Sequence, residues 1–113
     1  MSKSNKKNTE LHMLGSFEEH VLLAVLRVDH PYGMAVRREI DRVTGRDVAI
    51  GAVYSTLDRL EAKGLAHSRR DDADGRSRRV FSVSEDGHSA LAQTQAVRRR
   101  LWKGVRLLEV EPS

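Results

Sequence analysis

Apolar positions along this chain follow two rhythms. Phe17, Val21, Leu22, Ala24, Val25, Leu26 and Val28 crowd one segment, Val36, Ile40 and Val43 recur at helical spacing, and Val53, Leu57 and Leu60 repeat that spacing further on. Phe81 and Val83 then alternate with polar Ser82, the period of a half-buried strand. Leu91, Val97, Leu101, Val105 and Leu108 return to one side of a long last helix. The pattern predicts a mainly α chain with one small β-hairpin, in the order helix, helix, helix, hairpin, helix.

Residue chemistry supplies the boundaries. Ser16-Phe17-Glu18-Glu19 fits a capping box that starts the first helix at Ser16, its hydroxyl accepting from the Glu19 amide while the carboxylate reaches back. A helix so apolar is expected at the centre of the domain, buried on more than one face and a candidate to be shared with a second subunit. His30-Pro31-Tyr32-Gly33 breaks the chain, and a second helix from about Met34 to Val43 turns Arg37, Arg38, Glu39 and Asp41 outward, with Gly45 suited to a left-handed cap. Asp47-Val48-Ala49 links it to a third helix, about Gly51 to Lys63, which Gly64 ends. Strands Leu65 to Arg70 and Arg78 to Val83 meet at the turn Asp74-Gly75. Ser84 is a natural N-cap for the last helix, with Glu85 and Asp86 in its first turn. So small a domain has little core left to cover the stripe on that helix, which implies a homodimer with Phe17, Val21, Leu101, Val105 and Leu108 as candidate interface residues.

Composition narrows the function. At 113 residues the chain is one domain with room for a single activity, and its net charge of +4 favours polyanionic partners. It has no cysteine, which excludes disulfides, thiolate metal sites and cysteine nucleophiles. Residues 1 to 13 read as a flexible tail, and the polar, lysine-bearing stretch Met1 to Asn8 resembles neither a signal peptide nor an anchor. No apolar run approaches the roughly 20 residues that span a bilayer, so a cytoplasmic location without a membrane partner is expected. His12, His20, His30, His67 and His88 are scattered without an H-x-x-x-H pair, and no nucleophile elbow or glycine-rich phosphate loop occurs. An enzyme and a bound cofactor are therefore not expected. Glu18, Glu19 and His20 come nearest to a metal sensor, but isolated surface groups of that kind are common.

The order of elements says more. A helix feeding an arginine-rich hairpin, here Arg69, Arg70, Arg76, Arg78 and Arg79, is how a winged helix-turn-helix grips double-stranded DNA, the helix in the major groove and the wing on the backbone. Residues 14–84 are the expected DNA-binding domain and 85–113 the C-terminal dimerisation helix. With Val53, Leu57 and Leu60 inward, Ala52, Ser55, Thr56, Arg59 and Lys63 are expected on the opposite, DNA-facing side. Gly51 would let the helix N-terminus approach a phosphate, and Arg59 is a candidate for reading a guanine edge or, as readily, for a phosphate contact or an intrahelical pair with neighbours of Glu61. Arg76 and Arg78 follow the turn and are the leading wing contacts. Nearby Asp71, Asp72 and Asp74 damp the field, so part of the arginine set is expected to pair internally. The run Arg98-Arg99-Arg100 with Lys103 and Arg106 reads as a solvated helix face.

Read together, the segments Leu14-Gly15, Val21 to Leu26, Tyr32-Gly33, Gly51 to Leu57, Arg59 to Leu65, Arg78 to Ser84 and Gly87 resemble the PadR family of bacterial winged-helix transcriptional regulators, in its compact form with a single C-terminal helix. The resemblance spans about Leu14 to Leu108. It implies a nucleoid-associated repressor that binds an inverted-repeat operator as a homodimer. It places Tyr32 on the DNA-binding surface, has the Tyr54 hydroxyl reach the DNA backbone, and makes Trp102 a candidate contact for a small planar apolar effector, while the residues themselves also fit a half-buried structural ring at Tyr54 and dimer-interface packing at Trp102. Two positions depart from the family pattern: Val80 stands where a second aromatic is usual, and Ser55 where proline is frequent after the helix-3 tyrosine. The alternative from another class is a winged helix that docks an acidic protein partner and binds no specific DNA.

Overall fold

The computed structural model describes residues 13–73 and 75–109. Four helices and one hairpin follow in the expected order: α1 (Ser16–Arg27), α2 (Gly33–Thr44), α3 (Ile50–Ala62), β1 (Ala66–Asp71), β2 (Arg78–Val83) and α4 (Glu85–Trp102). The N-terminal tail apart from Met13, the turn residue Asp74 and residues 110–113 lie outside the described residues.

α1 is the hub. Val21, Leu22, Ala24 and Val25 are buried, and the helix packs against α2, α3, β2 and α4. Its start differs from expectation: the N-cap is Gly15, and it is the Glu18 carboxylate that accepts from the Gly15 amide at 3.0 Å. Glu19 points instead to Arg98 of α4, an ion pair across the first and last helices. Val21 is fully buried within its own chain, so it belongs to the core and not to an interface between subunits, while Phe17 is partly buried against that core. Leu23 and Leu26, by contrast, remain exposed.

The turn between α2 and α3 is pinned by side chains. Arg37 donates to the Val48 carbonyl at 2.7 Å and to Asp47 at 2.8 Å, while Asp41 accepts from the Val48 amide at 2.9 Å. These bonds satisfy a segment with no ladder of its own and set the angle at which α3 leaves α2. Val36 and Ile40 face the core, but Val43, expected with them, is 56% exposed.

α3 stops in a Schellman motif: the Leu65 amide bonds the Leu60 carbonyl at 2.8 Å and the Gly64 amide bonds that of Glu61 at 3.0 Å. Gly64 takes φ +78°, a conformation that side chains strain, and so turns the chain directly into β1. The hairpin is antiparallel, with Ala66 opposite Val83 and Asp71 opposite Arg78. A third, minimal strand joins it where Tyr32 bridges Val80 and the Phe81 amide bonds the Pro31 carbonyl at 2.9 Å. Phe81 is buried under the wing and Val80 is buried beside it.

Ser84 caps α4 as expected, its hydroxyl accepting from the Gly87 amide and donating to the Gly64 carbonyl. The helix is shorter than the apolar stripe. It ends at Trp102, and Gly104 at φ +76° turns the chain away, so Val105 and Leu108 lie beyond the helix and do not extend its face. Leu101, Trp102, Val105, Leu107 and Leu108 are all at least half exposed.

Candidate nucleic-acid interface

α3 presents a narrower face than the pattern predicts. Gly51, Ala52, Ser55, Asp58 and Arg59 are exposed, and Tyr54 is 38% exposed. Thr56, expected among them, is 3% exposed and packs with the core stripe. Its hydroxyl accepts from the Arg59 guanidinium at 3.2 Å, which lays that arginine back along its own helix. Lys63 is not free either, because its ammonium pairs with Glu18 of α1 at 2.7 Å. Burial pulls the Glu18 carboxyl upward, but Lys63 and the Gly15 amide outweigh it and hold the group below its ordinary range.

The N-terminus of α3 has no side-chain cap, since Ala49 occupies that position. Nothing lies within 4 Å of where a Gly51 Cβ would stand, so no neighbour within the described chain demands glycine there. Tyr54 is held differently. Its ring covers Gly33 so closely that a Cβ on that glycine would fall 2.2 Å from Cζ, and the first turn of α2 thereby fixes the tyrosine at the edge of the face.

The wing arginines divide into two sets. Arg79 turns to α3, pairing with Asp58 at 3.1 Å and Glu61 at 2.7 Å, and its guanidinium also lies 4.8 Å from the Phe81 ring. It fastens the hairpin to α3. Arg70, which donates to Ser77 at 3.3 Å, joins Arg76 and Arg78 on a notch of about 390 Å³ between the wing, Tyr54 and the start of α2. Arg78 stacks 4.2 Å from the centre of the Tyr32 ring, and Arg38 of α2 donates to the Tyr32 hydroxyl at 3.3 Å. The Arg38 hydrogen bond, with the charges of Arg38 and Arg78, draws the phenol below its ordinary value.

Sequence reasoning missed Arg38 and Asp58 as members of this surface. No local signal marks either: Arg38 enters only because Tyr32 bridges to Val80, and Asp58 only because the register sends Arg79 toward α3. Of the other basic residues, Arg98 pairs with Glu19, while Arg99, Arg100 and Lys103 border a shallow hollow beside Trp102, which is 54% exposed. The carboxylates of Glu18 and Glu19, considered above for a metal, are each engaged by a cation.

A helix-turn-helix with a basic wing is thus in place, and relatives carry the same plan. The sequence model of the transcriptional regulator PadR-like family matches residues 22–93, more than half of the chain. The chain belongs to the PadR-like family of transcriptional regulators. Transcriptional regulator Rv3488 of Mycobacterium tuberculosis is 36% identical over 74 residues, 66% of this chain and 68% of that relative. A PadR-like transcriptional regulator of Bacillus cereus has the same fold with a TM-score of 0.68 at 16% identity, over 79% of this chain and 86% of the other. A PadR-like transcription factor of Bacteroides fragilis superposes with a TM-score of 0.68 at 20% identity, over 89% and 91%. Among the described residues of this PadR-like chain, no helix is long and apolar enough to cross a membrane.

Proposed function

We propose that this PadR-like regulator is a sequence-specific DNA-binding repressor that acts as a homodimer on an inverted-repeat operator. The observation that carries the reading is the meeting of the exposed α3 residues with arginines of the wing on one surface. Residues 14–84 form the DNA-binding part and 85–113 the dimerisation part. In the DNA-binding part, α3 enters the major groove with Ala52 and Ser55 toward base edges, Arg59 leaves Thr56 to reach them, and the uncapped N-terminus at Gly51 approaches a phosphate. Tyr32, Tyr54, Arg76 and Arg78 take the backbone. Lys63 and Thr56 are left out, the one paired with Glu18 and the other buried.

Two subunits joined through the exposed apolar positions around Leu101 set their recognition helices about 34 Å apart, one turn of DNA. Occupying such a site across a promoter at the nucleoid blocks transcription. Trp102, half exposed at the end of α4, offers a planar apolar effector a face to stack on.

The test compares two variants. Arg59→Ala relaxes sequence preference at one position of each half-site, at a cost of about 1–3 kcal/mol in discrimination. Arg76→Ala weakens all duplexes alike and lowers the slope of log affinity against log salt by about 1. Wild-type binding by both variants, measured by fluorescence anisotropy over a salt series, contradicts this contact face.

A further inference from the structure

The notch between α2, α3 and the wing holds more cationic charge than the fold can use. Arg38, Arg70, Arg76 and Arg78 line it, and none has a carboxylate within 4 Å among the described residues. Several cations elsewhere are matched: Arg27 and Arg42 share Glu39, Arg37 bonds Asp47, Arg79 bonds Asp58 and Glu61, and Arg98 bonds Glu19. Four guanidinium groups with no ion pair of their own among the described residues, gathered in about 390 Å³ with Arg79 and its carboxylates at the edge and Asp71 across the hairpin from Arg78, repel one another, a cost that a bound anion lowers.

The donors are also arranged for one. Because the Tyr32 hydroxyl accepts from Arg38, its own hydrogen is left to donate outward. Stacking on the Tyr32 ring orients the Arg78 guanidinium, which shares the Tyr32 hydroxyl with Arg38 and keeps further N–H groups of its five to donate. We propose that Arg38, the Tyr32 hydroxyl and Arg78 form a preorganised seat for a single phosphodiester of the DNA backbone, which makes Arg38 of α2 a DNA contact that fixes the angle of α3 in the groove. The inference rests on the DNA-binding reading above and adds a specific residue and a specific ligand group to it.

The test uses the full chain and a duplex carrying its preferred sequence, with one phosphate at a time replaced by an uncharged methylphosphonate. Wild-type protein loses about tenfold in affinity when one particular phosphate of each half-site is neutralised, the effect of a charge-assisted hydrogen bond. Arg38→Ala loses about tenfold on the unmodified duplex and little more when that same phosphate is neutral. Tyr32→Phe, which keeps the ring under Arg78, loses about threefold with the same dependence on position. Arg38 is exposed, so thermal unfolding of its variant matches wild type.

Wild-type affinity for Arg38→Ala, or a loss that adds in full at every neutralised phosphate, overturns the seat while leaving the regulator intact. Displacement of the duplex by inorganic phosphate where chloride has no effect, without any position-dependent loss, makes the notch a free-anion site and also overturns it. A wild-type chain that binds no duplex at all overturns the DNA-binding reading, and the seat falls with it.

Discussion

Gly33 is the floor on which Tyr54 stands. With the Tyr54 Cζ 2.2 Å from the place of a Cβ, Gly33→Ala forces the ring outward or shifts α2. Urea unfolding should register a loss of about 1–3 kcal/mol, as for other overpacked sites. Adding Tyr54→Ala should restore most of it, because the three atoms nearest to that Cβ all belong to the Tyr54 side chain; simple additivity of the two changes would show that Gly33 matters for another reason. The residue scale is also where sequence reading fails most instructively. Ser55 and Thr56 were both expected on the exposed face, yet only Ser55 is there. At 100° per residue Thr56 lies about 60° from Val53, inside the broad apolar stripe of a core-facing helix. Among the wing arginines the sequence favours Arg76 and Arg78 for their place after the turn and expects part of the set to pair internally, but it does not say which partners Arg79 takes. Only the strand register shows that Arg79 holds Asp58 and Glu61 while its neighbours remain available.

At the scale of elements, the helices and hairpin were legible because each carries its own period and its own stop, such as Gly64 and Ser84. The third strand contact was not, because Tyr32 and Pro31 lie in a break between helices and find β2 only after the chain has folded. The capping residue of α1 shifted by one position for a similar reason: Glu19 is drawn to Arg98, which leaves Glu18 to reach back to Gly15. Two element-level predictions follow from the geometry. Gly51 has open space around it, so Gly51→Ala should leave α3 as stable as before or raise stability by up to about 1 kcal/mol, while lowering DNA affinity. Parallel unfolding and binding curves check this, and unchanged affinity would remove the close approach of the α3 N-terminus to phosphate.

The α1–α2 contact supplies the other. Glu39 accepts from Arg42 and Arg27, which lower its carboxyl from an ordinary 4.5 to about 2. A depressed folded-state pKa means that the pair contributes stability above pH 4.5 and loses it as pH falls toward 2. Glu39→Gln should flatten that part of the stability–pH curve, and added salt should shrink the difference because Arg27 is 54% exposed in its side chain. An unchanged curve would mean that the acid sensitivity lies elsewhere.

For the whole molecule, the unfinished surface is the C-terminal end. Leu101 is 72% exposed, Leu108 is 87% exposed, and Trp102 and Leu107 lie between them, an apolar stretch that a monomer leaves in water. The proposed dimer would use a surface other than the one expected from the sequence: Val21 is withdrawn into the core, and Val105 and Leu108 lie beyond the helix. Sedimentation equilibrium should therefore give a dimer for wild type and a folded monomer for Leu101→Asp combined with Leu108→Asp. A wild-type monomer that remains monodisperse would contradict the dimer. Loss of the dimer should also cost most of the affinity for paired half-sites, since two linked contacts bind far more tightly than one.

Selection of bound sequences from a random duplex library, by the purified full chain at physiological salt, bears on all of this at once. The expected result is an enriched inverted repeat whose half-site centres lie about 34 Å, or a multiple of that, apart. A pool that stays random while the protein is folded and dimeric would contradict sequence-specific DNA binding, and would leave the basic face to dock an acidic protein partner.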